Sequence, residues 1–413
     1  MTRSYDVIVA GGGPAGATAA HDLAKAGRSV LLIDPDGRIK PCGGAIPTRC
    51  IRDFDLPPKL IKARIHSARM VSPTGKTVGM DIGDIGYVGM VDREEFDPWL
   101  RTRAVEAGAE RIIGRFKSVE QQADGSMLVC VTGSDETTHR VQSTVLIGAD
   151  GANSAVRRAA FGPDKKPPYV FAYHEIVESP GSPPQPADMP GAEPGAGMPN
   201  ETSDFRPDRC DVIYDGSISP DFYGWVFPHG AQTSIGCGTA VKGHSLKDAT
   251  QMLRRRAGLD GARTIRREGA PLPLKPMRKW HSGTGVVLVG DAAGVVAPSS
   301  GEGIYYAMLC GRMGAGAALE ALRAQSLAPL AKVRRRFMKE HGKVFFVLGL
   351  LQHFWYRSDK RREQFVAMCA DADVQRLTWE AYLNKRLVRR EPMAHMRVLV
   401  KDIQQLLGLT ARP

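Results

Sequence analysis

Apolar and polar positions along this 413-residue chain follow three successive rhythms. In YDVIVAGGGPAGATAAHDLAKAGRSVLLIDPD, which starts at Tyr5, an unbroken apolar run (Val7, Ile8, Val9) meets a glycine turn, a helical stretch and a second apolar strand. Such runs suit parallel strands covered on both faces. The strand pattern returns in TVLIGADGANSAVRR (144–158) and in GVVLVGDAAGVVAPSSGEGIYYAMLCGRMGAGAALEAL (285–322), which continues into a helix rich in small residues. Between the first two, VDREEFDPWLRTRAVEAGAE (91–110) has the spacing of an amphipathic helix. Over residues 166–280 the rhythm shortens: CDVIYDGSI, FYGWVFPHG and QTSIGCGTAV alternate between turn residues, which predicts an antiparallel sheet. ESPGSPPQPADMPGAEPGAGMP (178–199) is too dense in Pro and Gly for a regular element and is expected to be a surface excursion without chemistry. Beyond about residue 330 the pattern becomes helical and basic.

The first turn carries chemistry. Gly11, Gly13 and Gly16 have the GxGxxG spacing, and Ala15 lies among them. The first glycine permits the tight turn, the second lets backbone approach a pyrophosphate, and the third lets helix and strand pack closely. The helix N-terminus then offers free N–H groups and a positive dipole end to the phosphates. The second strand ends at Asp34, where an acid is placed to hydrogen-bond a ribose 2′-hydroxyl. The motif does not separate NAD from FAD. The later glycines Gly311, Gly314 and Gly316 fall inside a helical pattern, so close helix packing accounts for them better than a second dinucleotide site.

Composition narrows the classes. A formal net charge of +12 suggests an anionic partner, whether a phosphorylated ligand or a membrane surface, or else simply favours solubility. No recognised nucleic-acid module accompanies the charge, so nucleic acid is not expected as a partner. The seven cysteines (42, 50, 130, 210, 237, 310 and 369) include no CxxC pair and show neither disulfide nor metal-site spacing, which suits a reducing cytoplasm and predicts no metal. No signal-peptide core opens the chain, and no apolar run reaches the ~18 residues needed to span a bilayer. The longest candidate, VFFVLGLLQHFWY (344–356), is short and contains Gln352 and His353.

The three strand-glycine segments together resemble the flavoprotein family with the p-hydroxybenzoate-hydroxylase type of fold. The resemblance implies FAD as the cofactor. Asp291 would be the ligand of the ribityl chain, and Gly303 and Ile304 would begin the helix near the flavin ring. Arg93 matches the FAD-contacting arginine that opens the 91–110 helix, although a solvated arginine on a surface helix is an equal reading. With no second Rossmann unit, a nicotinamide cofactor would dock transiently. The antiparallel sheet would form the far wall of a substrate cavity over the flavin.

In YGWVFP (223–228), strand alternation places Tyr223, Trp225 and Phe227 on one face and Gly224 and Val226 on the other. Three aromatics on one face are core in most sheets, and a wall for an apolar chain is the sharper reading. The loop KPCGGAIP, this aromatic strand and GDAAG…SGEGIYYA together resemble the geranylgeranyl reductase family. DGRIKPCGGAIP, GYVGMVDREEFD and SPDFYGWVFPHG resemble its chlorophyll and bacteriochlorophyll branch over nearly the whole chain. That branch implies NADPH-dependent reduction of a geranylgeranyl chain to phytyl, on the pigment or as the diphosphate. Gly43, Gly44 and Ala45 would then lie at the flavin, and Cys42 beside the alkene would either deliver a proton or shape the cavity. A small apolar filler is the plainer role for such a cysteine.

The fold class implied is α/β: a Rossmann-type FAD-binding domain interleaved with an antiparallel-sheet substrate domain, plus a helical C-terminal region. The expected FAD-binding domain comprises 1–70, 91–162 and 281–325, and the substrate domain 71–90 and 163–280 with the insert 178–199. A basic helical region occupies 326–413. In KVRRRFMKEHGKVFFVLGLLQHFWYRSDKRR and NKRLVRR, apolar residues are bracketed by Arg334, Arg335, Arg336, Lys339 and Lys343 before and Arg357, Lys360, Arg361 and Arg362 after. That arrangement suits either a core helix with a solvated face or peripheral contact with an anionic photosynthetic (intracytoplasmic) membrane from the cytoplasm. Two other functions fit the fold: an aromatic monooxygenase using O₂, and a non-catalytic flavin carrier in a pigment assembly.

Overall fold

The computed structural model describes residues 3–37, 39–181 and 204–385, so most of the insert 178–199 and of the NKRLVRR segment lies outside the described residues. The chain forms two compact units, each assembled from three stretches: Met1–Cys42, Arg93–Val170 and Ala270–Gly349 in the first, and Gly43–Asp92, Phe171–Gly269 and Leu350–Pro413 in the second.

The first unit is built on strands β1 (Arg3–Ala10), β2 (Val30–Asp34), β8 (Glu110–Gln121), β9 (Met127–Gly133), β10 (Thr138–Gly148) and β16 (Val286–Leu288), numbered in chain order. Parallel pairing gives the order β8-β2-β1-β10-β16, with Val7 opposite both Val30 and Val145. Strand β9 pairs antiparallel with the outer ends of β8 and β10. Val7, Ile8, Val9 and Ala10 are completely buried, as the unbroken apolar run requires. Helix α1 (Pro14–Lys25) packs on α6 (Ile304–Ala324) through small residues. A Cβ on Gly311 of α6 would collide with the backbone of Ala15, and one on Gly314 would lie 2.8 Å from Val289 Cγ1. Gly316 meets nothing, so packing explains two of the three glycines of that helix. Helices α3 (Arg93–Glu106) and α4 (Ala155–Phe161) also belong to this unit.

The second unit carries a seven-stranded sheet of β5 (Ser67–Val71), β6 (Thr77–Asp81), β11 (Tyr169–Glu178), β12 (Arg209–Ile213), β13 (Gly224–His229), β14 (Gln232–Thr239) and β15 (Thr264–Pro273). Its order is β15-β11-β14-β13-β12-β5-β6. The pairings of β11 with β14, β14 with β13, β13 with β12 and β5 with β6 are antiparallel, whereas β12 and β5 run parallel, with Asp211 opposite Arg69. Because β5 joins this sheet, residues 43–70 fall in the second unit and not with the dinucleotide motifs beside which their sequence places them. A small sheet of β3 (Ala45–Pro47), β4 (Ala63–Ile65) and β7 (Val88–Met90) adjoins helix α2 (Thr48–Asp53). One face of the large sheet buries Val177, Ile213, Val226, Ile235 and Cys237 against Ala249 and Leu253 of α5 (Leu246–Arg256).

The C-terminal stretch is helical, with α7 (Lys332–Trp355), α8 (Asp359–Met368) and α9 (Ala372–Asn384). Among the described residues no helix is long and apolar enough to cross a membrane.

Candidate active site

In the first unit the C-terminal ends of β1, β2, β10 and β16 share one edge, and β1 has β2 on one side and β10 on the other. Open α/β sheets bind ligands at that switch in strand order. A cavity of ≈ 410 Å³ opens there, lined among others by Gly11, Gly13, Ala15, Asp34, Lys40, Arg101 and Asp291. The glycines show why this turn tolerates nothing larger. Gly11 has φ +106°, and a Cβ there would collide with the carbonyl of Ala149; a Cβ on Gly16 would collide with the Gly11 carbonyl. Gly16 therefore packs beneath the cavity, outside its lining. Gly13 is different: nothing lies within 4 Å of its Cβ position, and it caps α1 without a side-chain hydrogen bond. Backbone and helix N-terminus are thus open to an anion.

Asp34 is placed by its neighbours. Its Oδ1 accepts the Gly12 N–H at 2.8 Å, and its Oδ2 faces Arg101 Nη1 at 3.2 Å. Burial pushes its carboxyl above the ordinary range, which the Gly12 N–H and the Arg101 guanidinium only partly offset. Asp34 Oδ2 and Arg101 Nε are both buried with no hydrogen-bond partner among the described residues. Orphaned polar atoms lining a cavity are what a polar ligand would satisfy. Asp291, also buried, pairs with Lys40. A dinucleotide, with a pyrophosphate and ribose hydroxyls, fits this set of donors and acceptors.

The arginine that opens α3 is not the solvated residue that one reading of its sequence offered. Arg93 is 6% exposed, and its Nε and Nη2 donate to Asp97 Oδ1 and Oδ2 at 2.7 and 2.5 Å. Burial works against its charge, but Asp97 outweighs burial and raises its pKa further. Arg93 also hydrogen-bonds the Cys42 thiol. It is Arg101, two turns along the same helix, that lines the cavity. Gly303 and Ile304 begin α6 as expected but stand outside the cavity lining, and Glu302 Oε1 accepts the Tyr305 N–H at 2.9 Å there.

The second unit holds the rest of the glycine loop. Gly43 packs on the aromatic strand: a Cβ there would lie 3.2 Å from the Phe227 ring and 3.9 Å from Trp225 Nε1. Gly44 adopts φ +70°, which glycine accepts without strain, and its carbonyl accepts the Val91 N–H at 2.9 Å. Ala45 follows at the start of β3, opposite Met90. Tyr223, Trp225 and Phe227 do share one face, with ring centroids 6.1 and 6.3 Å apart. Gly224 and Val226 point to α5, where a Cβ on Gly224 would lie 2.8 Å from Leu253. Tyr223 stacks on Phe222 at 4.2 Å.

A polar chain on the same face of the sheet anchors Trp225. Its indole Nε1 donates to Ser234 Oγ at 3.1 Å, Ser234 Oγ lies 2.9 Å from His174 Nδ1, and His174 Nε2 lies 3.0 Å from Glu268 Oε2. Arg266 Nε donates to Glu268 at 3.0 Å. Five further side chains bear on the site. Lys40, Arg101 and His229 lie inside KPCGGAIP, VDREEFDPWLRTRAVEAGAE and SPDFYGWVFPHG, where nothing local singles them out except the helical spacing of Arg101 from Arg93. His174 and Glu268 lie outside every such segment.

Comparison with known proteins bears on the whole chain. Residues 4–164 match the FAD binding domain family. The chain is 52% identical to the geranylgeranyl diphosphate reductase of Rhodobacter capsulatus, with 98% of each chain covered. It is 37% identical to the chloroplastic geranylgeranyl diphosphate reductase of Oryza sativa subsp. japonica, covering 99% of this chain and 88% of that one. The fold is shared with a geranylgeranyl bacteriochlorophyll reductase-like protein of Thermoplasma acidophilum (TM-score 0.77, 21% identity, 95% of this chain and 100% of that one). It is shared also with p-nitrophenol 4-monooxygenase of Pseudomonas putida (TM-score 0.70, 16% identity, 94% and 100%). The chain belongs to the geranylgeranyl reductase family and is an FAD-dependent oxidoreductase.

Proposed function

We propose that this protein saturates the isolated double bonds of a geranylgeranyl chain, carried on (bacterio)chlorophyll or as the diphosphate, to give phytyl, with NADPH as the reductant. The observation that carries the reading is the Cys42–Gly44 loop, whose Gly43 is seated on the Trp225 and Phe227 rings, in a chain related to such reductases from end to end. A glycine against two aromatic rings leaves flat apolar surface, the lining a prenyl chain needs.

In the first unit, Gly11, Gly13, Ala15 and the start of α1 would hold the FAD pyrophosphate, Asp34 a ribose hydroxyl, and Asp291 with Lys40 the ribityl chain. Bound and reduced, FAD supplies hydride from its N5. The protein's own residues supply position and dryness. An isolated alkene has no carbonyl to spread developing charge, so hydride addition needs nearly simultaneous protonation of the neighbouring carbon. Fixed alignment and excluded water therefore carry much of the rate. Tyr223, Trp225 and Phe227 are assigned to the apolar chain, and their ring faces favour a carbon that gains positive character. Cys42, held by Arg93, is assigned to the reacting alkene, as proton donor or as wall. Three double bonds require the chain to shift or rebind between flavin reductions.

A membrane-soluble substrate calls for a docking surface, and we assign that role to α7. On its exposed side Arg335, Lys339 and Lys343 recur every four residues and run into exposed Phe346, Val347 and Leu350, followed by Arg357 and Lys360. Exposed apolar side chains bracketed by cations fit the surface of an anionic bilayer.

Anaerobic stopped-flow spectroscopy tests the redox reading. Enzyme whose flavin has been reduced with NADPH should be reoxidised by geranylgeranylated pigment or by geranylgeranyl diphosphate without oxygen. Reoxidation only on admission of O₂, with oxygenated product, would favour the monooxygenase reading instead.

A further inference from the structure

The glycine loop is gripped by a histidine at the end of the SPDFYGWVFPHG segment, next to its aromatic residues. His229 ends β13, the aromatic strand, and only 7% of it is exposed. Its Nδ1 lies 2.9 Å from Asp92 Oδ1 and its Nε2 lies 3.0 Å from the Gly43 carbonyl oxygen. A carbonyl and a carboxylate only accept, so each ring nitrogen is placed to donate. The ring edge also presses on the next residue: a Cβ on Gly44 would collide with His229 Cε1 and with the Val91 carbonyl. Gly44 in turn accepts the Val91 N–H. Gly43 and Gly44 are thereby tied to Val91 and Asp92 through backbone and imidazole together. Cys42 precedes Gly43 by one peptide bond, and Arg93, which hydrogen-bonds the Cys42 thiol, follows Asp92 by one.

We propose that His229 is a positioning residue of the reductase site: bridged to Asp92, it fixes the plane of the Gly43 carbonyl and so the direction of the Cys42 thiol and the seat of Gly43 on the Phe227 ring. The inference rests on the reading that the Cys42–Gly44 loop belongs to the site of alkene reduction. It extends that reading to the device that holds the loop in register with the aromatic strand.

Two variants of the FAD-loaded enzyme separate positioning from mere stability. In His229→Gln the longer amide can still donate to the Gly43 carbonyl, whereas the shorter amide of His229→Asn reaches only toward Asp92. Both are compared with the parent for melting temperature, flavin content, turnover, product distribution and alkylation of Cys42 by iodoacetamide. The expected result is at least ~10-fold lower turnover in His229→Asn, since small misplacements near reacting atoms are that costly. Release of partly reduced chains should rise and Cys42 should alkylate faster, at unchanged flavin content, with His229→Gln recovering most of each. Equal loss in the two variants, or turnover and alkylation at parental values in His229→Asn, would overturn the proposal. Cys42→Ala, run in parallel, isolates the underlying reading: if it keeps full turnover and product distribution, the loop is not at the reacting alkene, while the alkylation rates in the His229 variants still report whether the clamp exists.

Discussion

A buried carboxylate is costly to keep charged, and Asp34 bears that cost with one backbone N–H and the guanidiniums of Arg101 and Arg111 beside it. Asp34 lines the cavity, and its remaining oxygen, Oδ2, faces those guanidiniums yet makes no hydrogen bond among the described residues. A ribose hydroxyl would satisfy it, so Asp34→Ala should weaken FAD binding by about 1.5–3 kcal/mol, the usual worth of a hydrogen bond to a charged group. Fluorescence-quenching titration of apoprotein with FAD reads this directly, and an unchanged dissociation constant would remove Asp34 from the cofactor site. Arg93 shows the same logic in reverse. It is satisfied within α3 by Asp97, which leaves the cavity to Arg101. Helical spacing makes the Arg93–Asp97 pair legible from sequence. The link from Arg93 to Cys42 spans fifty-one positions and has no such signature.

Strand β13 has two faces with different tasks. Val226 and Gly224 join the core with α5, while Tyr223, Trp225 and Phe227 face the other way. Trp225 is oriented by the chain through Ser234, His174 and Glu268. Burial works against the Glu268 charge, but His174 and Arg266 outweigh it and hold its carboxyl below the ordinary value of 4.5. A depressed folded pKa means that Glu268 contributes stability fully present above 4.5, lost as pH falls through the folded value. Glu268→Gln should therefore cost about 1–3 kcal/mol at pH 7, and the gap from the parent should close in acid. Denaturant unfolding at several pH values checks the sign; a gap that widens below 4.5 would contradict the pairing.

Helix α7 exposes apolar side chains beside its basic ones. Phe346 is 72% exposed and Leu350 56%, so replacing both with Ser should leave the melting temperature unchanged while weakening binding to anionic vesicles at least ~10-fold. Parental enzyme should leave such vesicles at high salt. Indifference to the lipid charge, or to both substitutions, would rule this face out as a bilayer contact.

At the scale of the molecule, what sequence revealed and what it hid divide along the length of the interactions. The strand-turn-helix around Gly11 and the alternation around Trp225 are local patterns, and both appear where they were read. The parallel pairing of β5 with β12 joins residues about 140 apart, so nothing in the local pattern of residues 43–70 marks the unit in which they pack. Lys40 with Asp291 and His229 with Gly43 are separated by 251 and 186 positions. Such partners are chosen by topology and not by spacing. Motifs therefore pointed to a flavin and a prenyl chain, while the groups that hold the loop in place became visible only in three dimensions.

Saturation of the prenyl chain is read by mass spectrometry of geranylgeranylated pigment and of geranylgeranyl diphosphate, each incubated with the FAD-loaded enzyme and NADPH. Successive gains of two, four and six hydrogens, ending at phytyl, are the predicted result. Substrate recovered without added hydrogen, or carrying added oxygen, would contradict it.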